Sequence, residues 1–210
     1  MSTLRRILAN EYVKTVIMVI VIIAVVFGLW YGSQLALNTQ HPALTVASGS
    51  MCKLPGVRCD GWSHPFEPTL HVGDLIIVQG VPPENIVASP DPIGDIIVFR
   101  QSPVGGELIV HRAIDKEERS GVWYFQTKGD GNIGPDSPRP SVPEDQVIGK
   151  VILRIPWVGH VALFMRDASG MFIIAILIVV LVVVEFVIPA MSTKKAEAEL
   201  LKEEGIEPET

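Results

Sequence analysis

Charge is absent where a soluble domain would carry it: no Asp, Glu, Lys or Arg occurs from Thr15 to Gln40. The first part of that interval, Val16 to Phe27, is almost unbroken aliphatic, and a helix as long as the whole charge-free interval crosses the roughly 30 Å hydrocarbon core of a bilayer. Cysteine is scarce, with 2 in 210 residues. A basic patch is lacking, which argues against nucleic-acid binding. Metal-ligand spacing is missing as well. Cys52 and Cys59 with His64 and His41 do not form the paired ligands of a zinc site, and the loop Thr127 to Asp136 lacks the spacing and terminal Glu of an EF-hand. No metal and no cofactor are expected.

What is present is apolar content of 48%, concentrated at the two ends of the chain. Trp30 and Tyr31 follow the first run, as interfacial aromatics do. Arg5 and Arg6 precede it, as in a cleaved leader, but the run exceeds the usual h-region of about 7 to 15 residues and no small-x-small site follows, so an anchor is expected. A second run, Met171 to Ile188, is interrupted only by Glu185 near its end, where a carboxylate reaches the interface, and is closed by Pro189 and Lys194-Lys195. The basic residues flanking both runs put both ends in the cytoplasm. The expected organisation is a cytoplasmic N-terminus (1–14), a first span (15–37), an extracytoplasmic β-rich domain (38–167), a second span (170–190) and a charged cytoplasmic tail (191–210). The expected location is the cell membrane, crossed more than once, with the endoplasmic-reticulum membrane as the alternative.

Between the spans, short β-branched runs alternate with Gly, Pro and Asp clusters, an all-β pattern. Strands are expected at Leu44 to Ala47, Leu75 to Gln79, Ile96 to Arg100, Leu108 to Ile114, Trp123 to Thr127 and Val147 to Arg154. A small, partly closed barrel would protect their edges. Cys52 to Phe66, rich in Gly, Pro and single aromatics, reads as an insertion. In an oxidising compartment Cys52 and Cys59 would bridge and stiffen the backbone beside it.

The stretch Ser48-Gly49-Ser50-Met51 has the composition of a tight turn that exposes a hydroxyl, which is how hydrolases present a nucleophile. A Ser nucleophile needs a proton acceptor, and His serves near neutral pH. Of the 5 histidines, His111 alone ends an apolar run, Leu108-Ile109-Val110, where a strand would hold it rigidly. Downstream, the turn-rich loop Thr127 to Asp136 carries two carboxylates, Asp130 and Asp136. Either could orient His111 on spacing alone.

In chain order, Ser48-Gly49-Ser50-Met51, Glu67-Pro68-Thr69-Leu70 with Gly73-Asp74, Gly94-Asp95-Ile96-Ile97-Val98-Phe99, Val110-His111-Arg112-Ala113, and Lys128-Gly129-Asp130 with Asp136 resemble the boxes of type I signal peptidases. The resemblance is to the archaeal and endoplasmic-reticulum branch, in which a His stands where bacterial enzymes carry a Lys general base, and it covers nearly all of the segment between the spans. It implies a membrane-bound serine endopeptidase that removes signal peptides from preproteins after small-x-small motifs. Ser50 would be the nucleophile, His111 the general base and then acid, Asp136 the orienting carboxylate and Asp130 a second acidic residue. The Ser50 N–H and Ser48 hydroxyl would form the oxyanion hole. Ala43, Leu44 and Val46 with Ile96, Ile97, Val98 and Phe99 would bind the extended substrate. The implied partners are preprotein signal peptides and the lipid bilayer, with the protein-translocation machinery as a further candidate. One departure stands out: in the family Ser-Met runs directly into x-Pro-Thr, whereas here Cys52 to Phe66 intervene.

Overall fold

A computed structural model describes residues 11–53, 62, 69–102 and 105–187. Cys59, His64 and the expected tail 191–210 lie outside the described residues. The chain divides into two compact units, Met1–His160 and Val161–Thr210.

The first unit opens with helix α1 (Glu11–Ala36). Its aliphatic side chains are exposed all round, the surface of a helix that a bilayer could cover. The portion Val13–Ala36 is long and apolar enough to cross a membrane. The helix stops at Asn38, which takes the left-handed φ of 48° while the Leu37 N–H returns to the Ser33 carbonyl at 2.9 Å, a common C-terminal arrangement. The Leu37 carbonyl then accepts the Gly80 N–H at 2.8 Å. A Cβ on Gly80 would lie 2.0 Å from the Asn38 carbonyl oxygen, so glycine is required for the helix end to seat on the sheet.

The strands are β1 (Ala43–Thr45), β2 (Leu75–Gln79), β3 (Ile96–Arg100), β4 (Leu108–Arg119), β5 (Val122–Lys128), β6 (Val142–Pro143) and β7 (Val147–Ile155). They form one antiparallel sheet, ordered β1-β2-β7-β3-β4-β5-β6, curled into a half-barrel. Alternation along β3 explains the packing. Ile96 and Val98 face a cluster with Val46, Met51, Leu70, Ile76 and Val78, while Ile97 and Phe99 face a second cluster with Ile86, Ala113, Phe125 and Val142, as a strand's period of two requires.

The all-β reading holds for the sheet, and three elements were not visible in it. β4 continues through the charged Asp115–Arg119 and turns at Ser120 and Gly121, with φ of 52° and 80°, the conformation that two-residue hairpins favour. Its polar composition hides a strand whose charges cover aromatic faces: Lys116 lies over Trp123 and Arg119 over Tyr124, both at 4.8 Å. β6 is too short to leave a pattern. Helix α2 (Val158–Arg166) occupies a stretch read as part of the β domain.

In the second unit, helix α3 (Ala168–Val182) begins at Asp167, whose carboxylate accepts the Ser169 N–H at 3.0 Å. Ala168–Glu185 is long and apolar enough to cross a membrane, and the helix ends in a π-helical turn, Val183–Val187.

Phe125 is fully buried, so Phe125→Ala is expected to lower unfolding free energy by about 3–5 kcal/mol. Denaturation of the full chain in detergent measures this, and Ile133→Ala, at a fully exposed side chain, should change it by no more than about 0.5 kcal/mol.

Candidate active site

Ser50 is positioned by its neighbours. Two backbone hydrogen bonds from Val46 to Gly73-Asp74 continue β1 beyond its last residue, with the Val46 N–H on the Asp74 carbonyl and the Gly73 N–H on that of Val46, both at 2.9 Å. Met51 is 1% exposed and anchors the turn in the core, which leaves the preceding Ser50 facing the cleft. On the other side the Gly131 N–H donates to the Ser50 carbonyl at 2.9 Å. A Cβ on Gly129 would lie 2.5 Å from the Ser50 carbonyl oxygen and one on Gly131 2.3 Å from that of Cys52. The Gly129-Asp130-Gly131 turn therefore lies directly against the Ser50 backbone, and only residues without side chains permit that approach.

That turn starts the loop that brings Asp136 to His111. The His111 Nδ1 lies 2.5 Å from Asp136 Oδ2 and its Nε2 lies 3.0 Å from Ser50 Oγ. Asp136 is fixed by the Thr127 hydroxyl, which donates to Oδ2 at 2.7 Å, and by its own N–H on the Thr127 carbonyl at 2.8 Å. A carboxylate only accepts, so Nδ1 carries the proton and Nε2 of the neutral ring is left to accept from the serine hydroxyl. His111 is 8% exposed and Thr127 2%.

Asp130 does different work. Its carboxylate takes a two-point contact from Arg112, with Nε to Oδ1 at 2.8 Å and Nη2 to Oδ2 at 2.5 Å. The hydrogen bond that Arg112 donates to Asp130 raises the Arg112 pKa, against the opposing effect of burial. Lys53, paired with Asp91 at 2.5 Å, lies 3.6 Å from the same carboxylate. Of the two loop carboxylates that spacing left open, Asp136 meets the imidazole and Asp130 locks the loop to the strand that carries it.

Ser48 Oγ lies 3.4 Å from Ser50 Oγ and is exposed. Cys52 is disulfide-bonded, and the chain's other cysteine, Cys59, lies outside the described residues. The described residues on either side of the insertion are joined, since the Thr69 hydroxyl donates to the Met51 carbonyl at 2.6 Å and accepts the Lys53 N–H at 3.3 Å. The junction between Ser50-Met51 and Thr69-Leu70 is thereby closed from the site side. His41, weighed above as a metal ligand, instead has its Nε2 3.3 Å from an Arg100 guanidinium nitrogen. Burial first and that cation second lower its pKa.

A cleft of about 370 Å³ leads to Ser50 between Thr45–Ser48 on one wall and Glu107–Val110 on the other. Val46 lines it, whereas Leu44 packs into the core and Ala43 faces α1. The expected contribution of β3 is not found. Ile97, Val98 and Phe99 are buried in the two clusters, and Ile96 lies in a separate depression beside Arg112 and Asp130. β3 is paired on both sides, by β4 and β7, and so offers no free edge. The wall that sequence reasoning missed is the start of β4. Its partnership with β5 begins only at Arg112, leaving Leu108–His111 unpaired on one side. Among the described residues β1 pairs only with β2, and so presents a second free edge across the cleft.

No protein-family model matches the chain. It is similar to catalytic subunits of the signal peptidase complex, SEC11, at 29% identity in Pyricularia oryzae over 71% of this chain and 78% of the relative. The SEC11 subunit of Tuber melanosporum is 27% identical over 81% and 88%, and that of Dictyostelium discoideum 29% identical over 70% and 73%. The chain is a homologue of type I signal peptidases of the endoplasmic-reticulum branch. That relationship makes it a hydrolase of the serine-endopeptidase class, engaged in signal-peptide processing. It also corrects the expected location: the homologues are subunits of a eukaryotic signal peptidase complex, an assembly of the endoplasmic-reticulum membrane and not of the cell membrane.

The close approach at Gly131 gives this signal peptidase homologue a steric prediction. Gly131→Ala must push the Ser50 segment away from His111, and a displacement on that scale lowers rates by about 10²-fold. Gly134→Ala, where a Cβ meets open space, should stay within about twofold of the parent rate, a change under about 0.5 kcal/mol. Preprotein cleavage by the two full-length variants measures both.

Proposed function

We propose that the chain cleaves N-terminal signal peptides after small-x-small motifs, with Ser50 as nucleophile and His111 as general base. The observation that carries this reading is the single imidazole bridging Ser50 Oγ at 3.0 Å and the Asp136 carboxylate at 2.5 Å. Ser50 Oγ attacks the carbonyl of the last signal residue as its proton passes to His111 Nε2. Asp136 stabilises the imidazolium that forms. Negative charge developing on the former carbonyl oxygen is met by the Ser50 N–H and the Ser48 hydroxyl. His111 then protonates the departing amine, which becomes the N-terminus of the mature protein. Water, activated by the same imidazole, attacks the acyl-enzyme, releases the signal peptide's carboxylate and restores the serine.

The free edges of β1 and β4 support an extended substrate that hydrogen-bonds on both sides, with affinity from main-chain groups and selectivity from what fits between the walls. Val46, Leu108 and Val110 fill that space from the core side, so shallow pockets suited to small side chains remain. A signal peptide is itself a membrane-embedded apolar helix. An anchor of the length of α1 shares its surface and raises its effective concentration at the cleft. The lipid bilayer is therefore a working partner. Its relatives are catalytic subunits of the signal peptidase complex, so such a complex is the protein partner to examine, with the translocation machinery as a further candidate.

Ser50→Ala and His111→Ala should each lower the cleavage rate of a model preprotein by at least about 10³-fold while membrane insertion is unchanged. The rate of the parent protein should fall as the medium is acidified, because an imidazolium cannot accept the serine proton. Cleavage retained in Ser50→Ala, or a rate that stays flat on acidification, excludes the mechanism.

A further inference from the structure

The cleft has one charged residue at the end remote from Ser50. Among the residues that line it only Glu107 and His111 titrate, and the remaining polar groups are hydroxyls. Glu107 is exposed, and no described Lys, Arg or His lies within ion-pair distance of it. By contrast Asp91, Asp95 and Asp130 each have a cation at 3.2 Å or less.

The strand order fixes which end of a substrate Glu107 meets. Neighbours from β1 to β4 are all antiparallel, so β1 and β4 run in the same direction. β1 begins at Ala43, shortly after α1 ends at Ala36, which makes its start the membrane-side end. The start of β4 is at that same end: Arg100 pairs with Leu108, and its guanidinium reaches His41 at 3.3 Å. A signal peptide enters from the membrane and runs parallel to both edges toward Ser50. Glu107 precedes His111 by four positions, about 13 Å at a rise of roughly 3.3 Å per residue.

We propose that Glu107 is a specificity-determining residue that reads charge at the fourth or fifth residue ahead of the scissile bond, favouring a basic side chain there and disfavouring an acidic one. The inference rests on the catalytic reading above, since it takes Ser50 as the point of cleavage. No bond is made or broken by Glu107. An exposed pair of this kind changes rates by about threefold to fivefold, enough to rank preproteins without excluding any.

The test uses the full-length protein in detergent and synthetic peptides that differ only in Lys, Ala or Asp at those two positions, each rate divided by that of the Ala peptide. The parent should prefer Lys over Asp by about threefold or more, chiefly through KM, and the preference should shrink when salt is raised from about 0.01 M to about 1 M. Glu107→Gln should flatten the ratio and Glu107→Lys should invert it. A Lys-to-Asp ratio left unchanged in Glu107→Lys, with all peptides still cleaved, overturns this inference alone. Failure of the parent protein to cleave any of the peptides overturns it together with the catalytic reading.

Discussion

A serine hydroxyl is a poor nucleophile until an imidazole nitrogen stands within hydrogen-bonding distance, and that one contact constrains most of the first unit. The hydroxyl belongs to a turn beyond β1, the imidazole to β4 and the carboxylate to a loop beyond β5, so three separate stretches must arrive together. The structure secures the meeting in two independent ways. The Gly129-Asp130-Gly131 turn lies against the Ser50 backbone at a distance no side chain allows. The Arg112–Asp130 pair joins the same turn to the residue next to His111. Arg112 is 7% exposed, and breaking a buried pair of this kind typically costs about 3–5 kcal/mol. The proposed base and its orienting carboxylate are thus held by an ion pair in which neither takes part.

The curl of the sheet sets where a substrate can lie. Sheets usually hide their edges, yet among the described residues β1 lacks a partner on one side and β4 lacks one until Arg112. Two free edges facing each other across a cleft, both leading to Ser50, are an arrangement that an extended peptide completes. The Leu37–Gly80 hydrogen bond at 2.8 Å ties the end of α1 to the end of β2. The cleft entrance is therefore held near the end of a helix suited to a bilayer, which is where a membrane-embedded substrate would emerge.

Much of this was legible in the residues, for definite reasons. Charge-free aliphatic runs identify helices long and apolar enough to cross a bilayer, and short β-branched runs bounded by Gly and Asp, Leu75–Gln79 and Ile96–Arg100, identify strands. Ser50 and His111 could be singled out because the first sits in a tight Ser-Gly-Ser turn and the second ends an apolar run. Their separation could not be read, and Asp130 and Asp136 were equivalent until the positions of Arg112 and Thr127 distinguished them. The cleft wall was assigned to Ile96–Phe99 because a continuous apolar run does not reveal in the sequence whether the strand is paired on both sides or has a free edge. The long β4–β5 hairpin was hidden by its charges, whose apolar stems and cations lie on Trp123 and Tyr124. The cell-membrane expectation failed because charge bias at the helix ends reports orientation, not which membrane is crossed.

The most direct measurement is chemical: acid-quench the full-length protein during turnover of an activated peptide ester, digest it and locate the acyl group by mass spectrometry. The nucleophile assignment predicts one adduct, on Ser50, formed far more slowly when His111 is replaced by alanine. An adduct on another residue, or equal acylation of Ser50 without the imidazole, would contradict it.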